Sequence, residues 1–224
     1  MNLDLSQTEE NYLKAIFSLS LVVSKAVSTN SIAQKLETKA SSVTDMVKKL
    51  SEKKLVDYKK YQGVSLTVEG KEIAVRIIRK HRLWEVFLVK HLDFSWDEVH
   101  EVAEQLEHVK SVKLTQQLDA YLEYPTHDPH GDPIPDADGN IAHHTEIMLS
   151  SLQIGDTCMV LGVKDSSKSF LKYLDSSGIK LGTDVRVLNK EDFDNSMIIE
   201  VGTKELSVSQ QISKNLFVKK QQND

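Results

Sequence analysis

The chain has 224 residues, 40% of them hydrophobic, enough for one to three small domains with a sizeable core. A net charge of −5 excludes a protein that coats itself uniformly with nucleic acid, and one cysteine excludes an intramolecular disulfide framework. No run approaches the roughly 18 apolar residues of a membrane span, and the acidic N-terminus does not resemble a signal peptide. The expected location is the cytoplasm, with no membrane partner.

Charge is unevenly placed. Residues 1–92 carry 16 Lys and Arg against 10 Asp and Glu, net +6, whereas residues 93–224 carry 12 against 23, net −11. A basic half suits a polyanion and an acidic half suits something cationic. Ser6 or Thr8 can cap a first helix whose apolar stripe is Tyr12, Leu13, Ile16, Phe17 and Leu19. A short helix from Ser28 turns Ile32, Ala33 and Leu36 inward. A third helix, SSVTDMVKKLSEKK, buries Val43, Met46, Val47 and Leu50. Two short helices with a tight connection form a helix-turn-helix. Strand-like Leu55 to Tyr58 and Val64 to Leu66 then flank a basic tip at Lys59 and Lys60. Together these elements predict a winged helix-turn-helix. Off the apolar stripe, Ser41, Ser42, Thr44 and Asp45 are candidates for base edges of double-stranded operator DNA. Lys48, Lys49, Lys59 and Lys60 are candidates for its phosphates.

Thr67 caps a long helix, TVEGKEIAVRIIRKHRLWEVFLVKHL, and helices over Trp96 to His108 and Lys113 to Tyr124 follow. Their apolar faces exceed what a small winged domain needs, which predicts a homodimer. These helices also carry potential metal ligands. His81 and Glu85 share one face. His100, Glu104, Glu107 and His108 fall at i, i+4, i+7 and i+8 of a second stripe. Imidazole and carboxylate are the donors that divalent first-row metals take up. From Pro125 to His144 the text turns to proline, glycine, Asp and His, so this segment is a linker or a loop tied down by ligands. His127, Asp128 and His130 are candidates for the tie. From about Leu149, short strands at Ile154 to Val163, Asp184 to Leu188, Met197 to Val201 and Lys204 to Val208 indicate a small barrel. Cys158 lies on the first of these and reads as core.

Several blocks together carry a resemblance: EENYLKAI, SSVTDMVKKL, LTVEGKEIA, RKHRLWE, VHEVAEQLEH and HGDPIP. In this order and spacing the chain resembles the diphtheria toxin repressor family of metal-dependent regulators, in its manganese-type branch with a C-terminal SH3-like domain. The resemblance implies an α+β fold. A winged helix-turn-helix spans 1–70, a helical metal-binding and dimerisation domain with its proline-rich loop 71–144, and an SH3-like barrel 145–224. It implies one metal site at Glu104, Glu107 and His108 with Asn11 from the first helix, where neighbouring Glu10 is the other candidate. A second site would take His81, Glu85 and His100. The pattern also matches Asp128 and His130 in the loop and Asp165 in the barrel. Oxygen and nitrogen donors suit Mn(II) or Fe(II) as co-repressor, whereas thiolate would favour Zn or Cu(I).

Two other classes compete with this non-enzymatic reading. A carboxylate-bridged two-metal enzyme needs Glu-x-x-His on two helices, and residues 95–124 contain no such pair. A winged-helix regulator that answers to a partner or small molecule instead of a metal would leave these His and Glu residues merely exposed.

Overall fold

The computed structural model describes residues 4–23, 26–141, 147–165 and 167–221, so the end of the predicted proline-rich segment lies outside the described residues. The chain divides into two compact units. One comprises Met1–His81, Glu104–Thr115 and Pro135–Asn140, the other Arg82–Ala103, Gln116–Ile134 and Ile141–Asp224.

The first unit begins with helices α1 (Gln7–Ser20), α2 (Thr29–Lys35) and α3 (Ala40–Glu52), then the hairpin β1 (Val56–Lys59) and β2 (Gly63–Leu66). Ser6 caps α1 reciprocally: its side chain accepts from the Glu9 N–H while the Glu9 carboxylate accepts from the Ser6 N–H. That capping box satisfies two donors the helix start would otherwise leave open. Ser28 caps α2 through the Ser31 N–H. Leu13, Ile16, Ile32, Val43, Val47, Leu50, Leu55 and Val64 are fully enclosed, each contributing roughly 1.5–3 kcal/mol by leaving water. An isolated antiparallel bridge pairs Val27 with Val64 of the hairpin. This is the winged helix-turn-helix expected from the periodicity.

Helices α4 (Val68–Leu92), α5 (Val99–Leu106) and α6 (Val112–Tyr121) follow, and Thr67 caps α4 by accepting from the Gly70 N–H. The helix expected over Trp96 to His108 is shorter at both ends. Its last turn closes with the Val109 N–H on Leu106 O, and Ser111 then caps α6 through the Leu114 N–H. Glu107 and His108 therefore sit in the turn that follows α5 and not within the helix.

In the second unit Leu83, Val86, Leu118, Leu122 and Ile134 form one cluster, with Trp84 and Phe87 against it. The larger core belongs to a six-stranded antiparallel sheet of order β3-β8-β4-β5-β6-β7. Its strands are β3 (Ile147–Met148), β4 (Thr157–Val163), β5 (Asp184–Lys190), β6 (Met197–Val201), β7 (Lys204–Val208) and β8 (Leu216–Lys220), with helices α7 (Lys168–Ser176) and α8 (Gln210–Ser213). Buried Cys158, Val160, Leu171, Leu174, Val187, Ile199 and Val218 pack there together with Trp96.

The expected barrel does not close. Irregular register at Val160 and Gly162 and at Val187 and Asn189 bends the sheet, yet β3 and β7 remain its two edges. β3 is only two residues long, and β7 presents exposed Lys204 and Glu205, charges that blunt edge pairing.

The loop after α6 reaches this sheet through a close backbone approach. Val163 N–H donates to His130 O at 2.9 Å. Gly131 has φ +88, and a Cβ on it would stand 2.1 Å from Leu161 O. Only glycine meets both demands. Gly131→Ala should therefore cost about 2–4 kcal/mol in the urea unfolding of this unit. A loss below about 0.5 kcal/mol would show that the approach is not tight.

Candidate metal centres and nucleic-acid interface

In the first unit three elements converge on one cluster. α1 brings Glu10 and, one turn on, Lys14. α4 brings His81, and the turn after α5 brings Glu107 and His108. His108 Nδ1 lies 2.5 Å from Glu10 Oε2, and His81 Nδ1 lies 2.6 Å from Glu107 Oε2. Lys14 Nζ donates to Glu107 Oε2 at 2.7 Å. Glu10, His81 and Glu107 are buried, Glu107 completely. Burial opposes ionisation of Glu107, but the His81 hydrogen bond and the Lys14 charge outweigh it and hold the carboxyl below its ordinary range. Its Oε1 is buried with no hydrogen-bond partner among the described residues and lies 3.9 Å from His108 Nε2.

An unpartnered buried carboxylate oxygen costs stability, and a divalent cation would satisfy it. Glu10, Glu107 and His108 supply only oxygen and nitrogen, the donors Mn(II) and Fe(II) accept. These residues fit such an ion. Of the other sequence candidates for this cluster, Glu104 is exposed, its Oε1 3.8 Å from Lys14 Nζ. Asn11 is exposed on α1, because one residue of helix turns a side chain by about 100°. Glu10 is the α1 side chain that meets His108.

The second unit gathers Glu85, Asp128 and His130, all buried, with one ligand atom of each within 4.8 Å of the others. Glu85 Oε2 lies 3.6 Å from His130 Nδ1, and Glu85 Oε1 lies 3.2 Å from His100 Nδ1. The Trp96 carbonyl accepts from His130 Nε2 at 2.7 Å, which turns Nδ1 toward the carboxylates, the orientation a carbonyl partner gives an imidazole whose other nitrogen is to bind an ion. Asp128 Oδ1 accepts from the N–H groups of His130 and Asp132 at 2.8 and 2.9 Å. Arg82 steadies the same loop, its Nε 3.5 Å from Asp128 Oδ2 and its Nη2 3.3 Å from Asp132 Oδ2. Burial, then the charges of Glu85 and Asp132, pushes the Asp128 carboxyl up. Such a pocket of negative charge is relieved by a cation, and its donors are again oxygen and nitrogen. Asp165 is half-buried and accepts from the Ser167 N–H at 2.9 Å. His127 is half-buried and pairs with Thr126.

On the reading surface Ser41, Ser42, Asp45, Lys48, Lys59 and Lys60 are exposed. Thr44 is half-buried, its hydroxyl donating to Ala40 O. Tyr61, absent from the sequence candidates, is 93% exposed at the wing tip with Lys60 Nζ 5.0 Å over its ring.

Lys49 points partly elsewhere. Its Nζ lies 3.3 Å from Glu9 Oε1, and Lys53 Nζ lies 2.6 Å from the same oxygen. Burial works against Glu9 ionising, yet Lys53, the Ser6 N–H and Lys49 hold it at about 2. Ser6 was legible as a cap, but the part Glu9 plays in that cap and its tie to α3 were not.

Comparison with known proteins gives three matching family models. Residues 4–64 match the N-terminal DNA-binding domain of iron-dependent repressors, and residues 67–136 their metal-binding and dimerisation domain. Residues 147–220 match the FeoA domain. The diphtheria toxin repressor of Corynebacterium efficiens is 30% identical over 201 residues, covering 84% of this chain and 86% of that protein. A manganese-dependent transcriptional repressor solved in complex with manganese is 34% identical. It covers 95% of this chain and all of that one, with TM-score 0.82. The manganese regulator SloR is likewise 34% identical, covers 95% of this chain and 98% of that one, and has TM-score 0.72.

The ion pair between α1 and α3 makes a direct test. Glu9→Gln should lower folding stability by about 2 kcal/mol, because two lysines lose their shared counter-charge. A double-mutant cycle with Lys53→Met should show coupling of about 1 kcal/mol or more by chemical denaturation. Coupling near zero would mean the pair does not hold the helices together.

Proposed function

This chain belongs to the diphtheria toxin repressor family, and on that premise we propose that it is a transcriptional repressor of metal-ion homeostasis with Mn(II) or Fe(II) as co-repressor. The observation that carries the metal reading is the buried cluster of Glu10, Glu107 and His108, with an oxygen of Glu107 left without a hydrogen bond. We assign Glu85, Asp128 and His130, with His100 at the rim, to a second metal position. His81, Glu104, Asn11 and Asp165 are secondary candidates. The donors include no thiolate and suit Mn(II) and Fe(II) alike; Mn(II) is the favoured ion because the similar solved structures are manganese regulators. The one cysteine, Cys158, is buried in the sheet core, and burial with Asp156 and Asp184 pushes its thiol up to about 11.

The functional division we propose is 1–70 for DNA reading, 71–144 for metal binding and dimerisation, and 145–224 for an SH3-like module. The family-model matches at 4–64, 67–136 and 147–220 support it. Operator DNA and a second copy of the chain are the partners, as in the family. An aromatic ladder supports a dimer face: Trp84 on Phe87, and Tyr121 4.9 Å from the His91 ring, with Tyr121 and Leu92 both exposed. No helix among the described residues is long and apolar enough to cross a membrane. The cytoplasm, where operator DNA is accessible, is the proposed site of action.

Glu10, Glu107 and His108 would hold a divalent cation, which would supply the positive charge that lets them share one small space. Glu10 then anchors α1 to the turn after α5. Glu9, on the same helix, holds Lys53 and Lys49 of α3, so the position of α1 sets the position of the recognition helix. Ser41, Ser42, Thr44 and Asp45 face base edges, and Lys48, Lys59 and Lys60 face phosphates, with Lys49 divided between phosphate and Glu9. In a dimer the two α3 helices must enter successive major grooves about 34–36 Å apart. A preference of about 5.5 kcal/mol for the competent arrangement shifts it from 1:99 to 99:1.

Fluorescence anisotropy on a labelled operator fragment, selected from genomic DNA, tests this reading with Mn(II), Fe(II), Zn(II) or chelator. Wild type should bind at least 100-fold more tightly with Mn(II) than with chelator. His108→Ala should lose that gain while remaining a dimer by size-exclusion chromatography. A His108→Ala variant that still answers to metal would remove the first cluster from the mechanism.

A further inference from the structure

Lys14 is the unexpected member of the first cluster. It stands four residues after Glu10 on α1, so both side chains leave the same helix face. Its ammonium lies 2.7 Å from Glu107 Oε2, 3.2 Å from His81 Nδ1 and 3.8 Å from Glu104 Oε1, and its side chain is only 17% exposed. One positive charge has been placed among the groups that a divalent ion would use.

We infer that Lys14 is a resident cation with which the divalent ion must compete, so that this one residue sets the metal concentration at which the cluster fills. The inference rests on the reading of this cluster as a metal site and deepens it.

The argument is electrostatic and geometric. Buried carboxylates need a counter-charge whether or not metal is present, and Lys14 supplies it to Glu107. In doing so it occupies Oε2, leaving Oε1 as the oxygen of Glu107 open toward His108. A like charge at this range, in surroundings less polar than water, repels an arriving dication far more than a surface lysine would. Lys80, whose Nζ reaches Val109 O at 3.4 Å, adds positive charge from α4 but makes no such bond to the ligands. Lys14 also joins α1 to Glu107 through an ion pair, so the metal-free cluster is held together by the same side chain that opposes metal entry. The device gives a threshold: weak filling at low metal, and a stable protein in its absence.

The test is Mn(II) binding by isothermal titration calorimetry, with thermal melting of chelated and loaded protein, on wild type, Lys14→Met, Lys14→Arg and His108→Ala. Lys14→Met should bind the first-cluster ion at least tenfold more tightly. Its metal-free form should melt lower than wild type, and its rise on saturating Mn(II) should be larger. Lys14→Arg, which keeps the charge, should stay within about threefold of wild-type affinity. Unchanged or weaker binding by Lys14→Met, or a metal-free Lys14→Met that melts like wild type, overturns the inference. His108→Ala separates the two levels of the argument. If it keeps the wild-type number of bound ions, the metal reading of this cluster falls. If it loses one ion while Lys14→Met fails to tighten binding, only the role of Lys14 falls.

Discussion

The first unit depends on how a small buried space accommodates too much negative charge. Glu10 and Glu107 are withdrawn from water beside His81 and His108, and one oxygen of Glu107 has no donor. Burying a carboxylate is costly unless a cation or hydrogen bonds accompany it. The contact between α1 and the turn after α5 therefore stands or falls with the local supply of positive charge. Lys14 supplies part of that charge, so a protein whose packing tightens further when a divalent ion is added reports on that ion, with no need for a large conformational machine.

The leverage comes from two adjacent glutamates. Glu10 faces His108, while Glu9, about 100° around the helix, faces Lys53 and Lys49 of α3. Glu9 also completes the capping box that starts α1. One dipeptide thus joins the helix start, α3 and the Glu107 and His108 cluster. The second unit solves a related problem by other means. Its loop after α6 has little regular structure, so Asp128 and His130 are held by backbone N–H groups, the Trp96 carbonyl and the fork of Arg82. Those contacts hold Asp128 and His130 of a proline-rich segment beside Glu85.

Much of this was legible in the sequence, for identifiable reasons. The winged helix-turn-helix follows from strong local periodicity and from caps such as Ser28 and Thr67. The residue types for metal binding were also visible in the spacing of His and Glu. What spacing did not show is where α5 stops: the stripe from His100 to His108 presumes a continuous helix, whereas α5 ends at Leu106 and Glu107 and His108 lie in the turn after it. Asn11 and Glu10 are neighbours in sequence but differ by a third of a turn, so their roles depend on which face of α1 packs. Lys14 carries no local sign of its place, since nothing near it in the sequence reveals the carboxylates that surround it. The short edge strand β3 and the strand β8 escaped for the same reason, because their pairing is long-range. Closure of the sheet likewise rests on edge register and on charges such as Lys204 and Glu205, and alternation alone carries no information about either.

The central claim is that a divalent cation fastens α1 to the turn bearing Glu107 and His108. Amide hydrogen exchange of the peptide spanning Gln7 to Ser20, followed by mass spectrometry in DNA-free protein, measures that fastening directly. Exchange should slow at least tenfold in Mn(II) relative to chelator. Identical exchange in the two conditions would mean that the cation does not hold the helix, and the account would be wrong at its root.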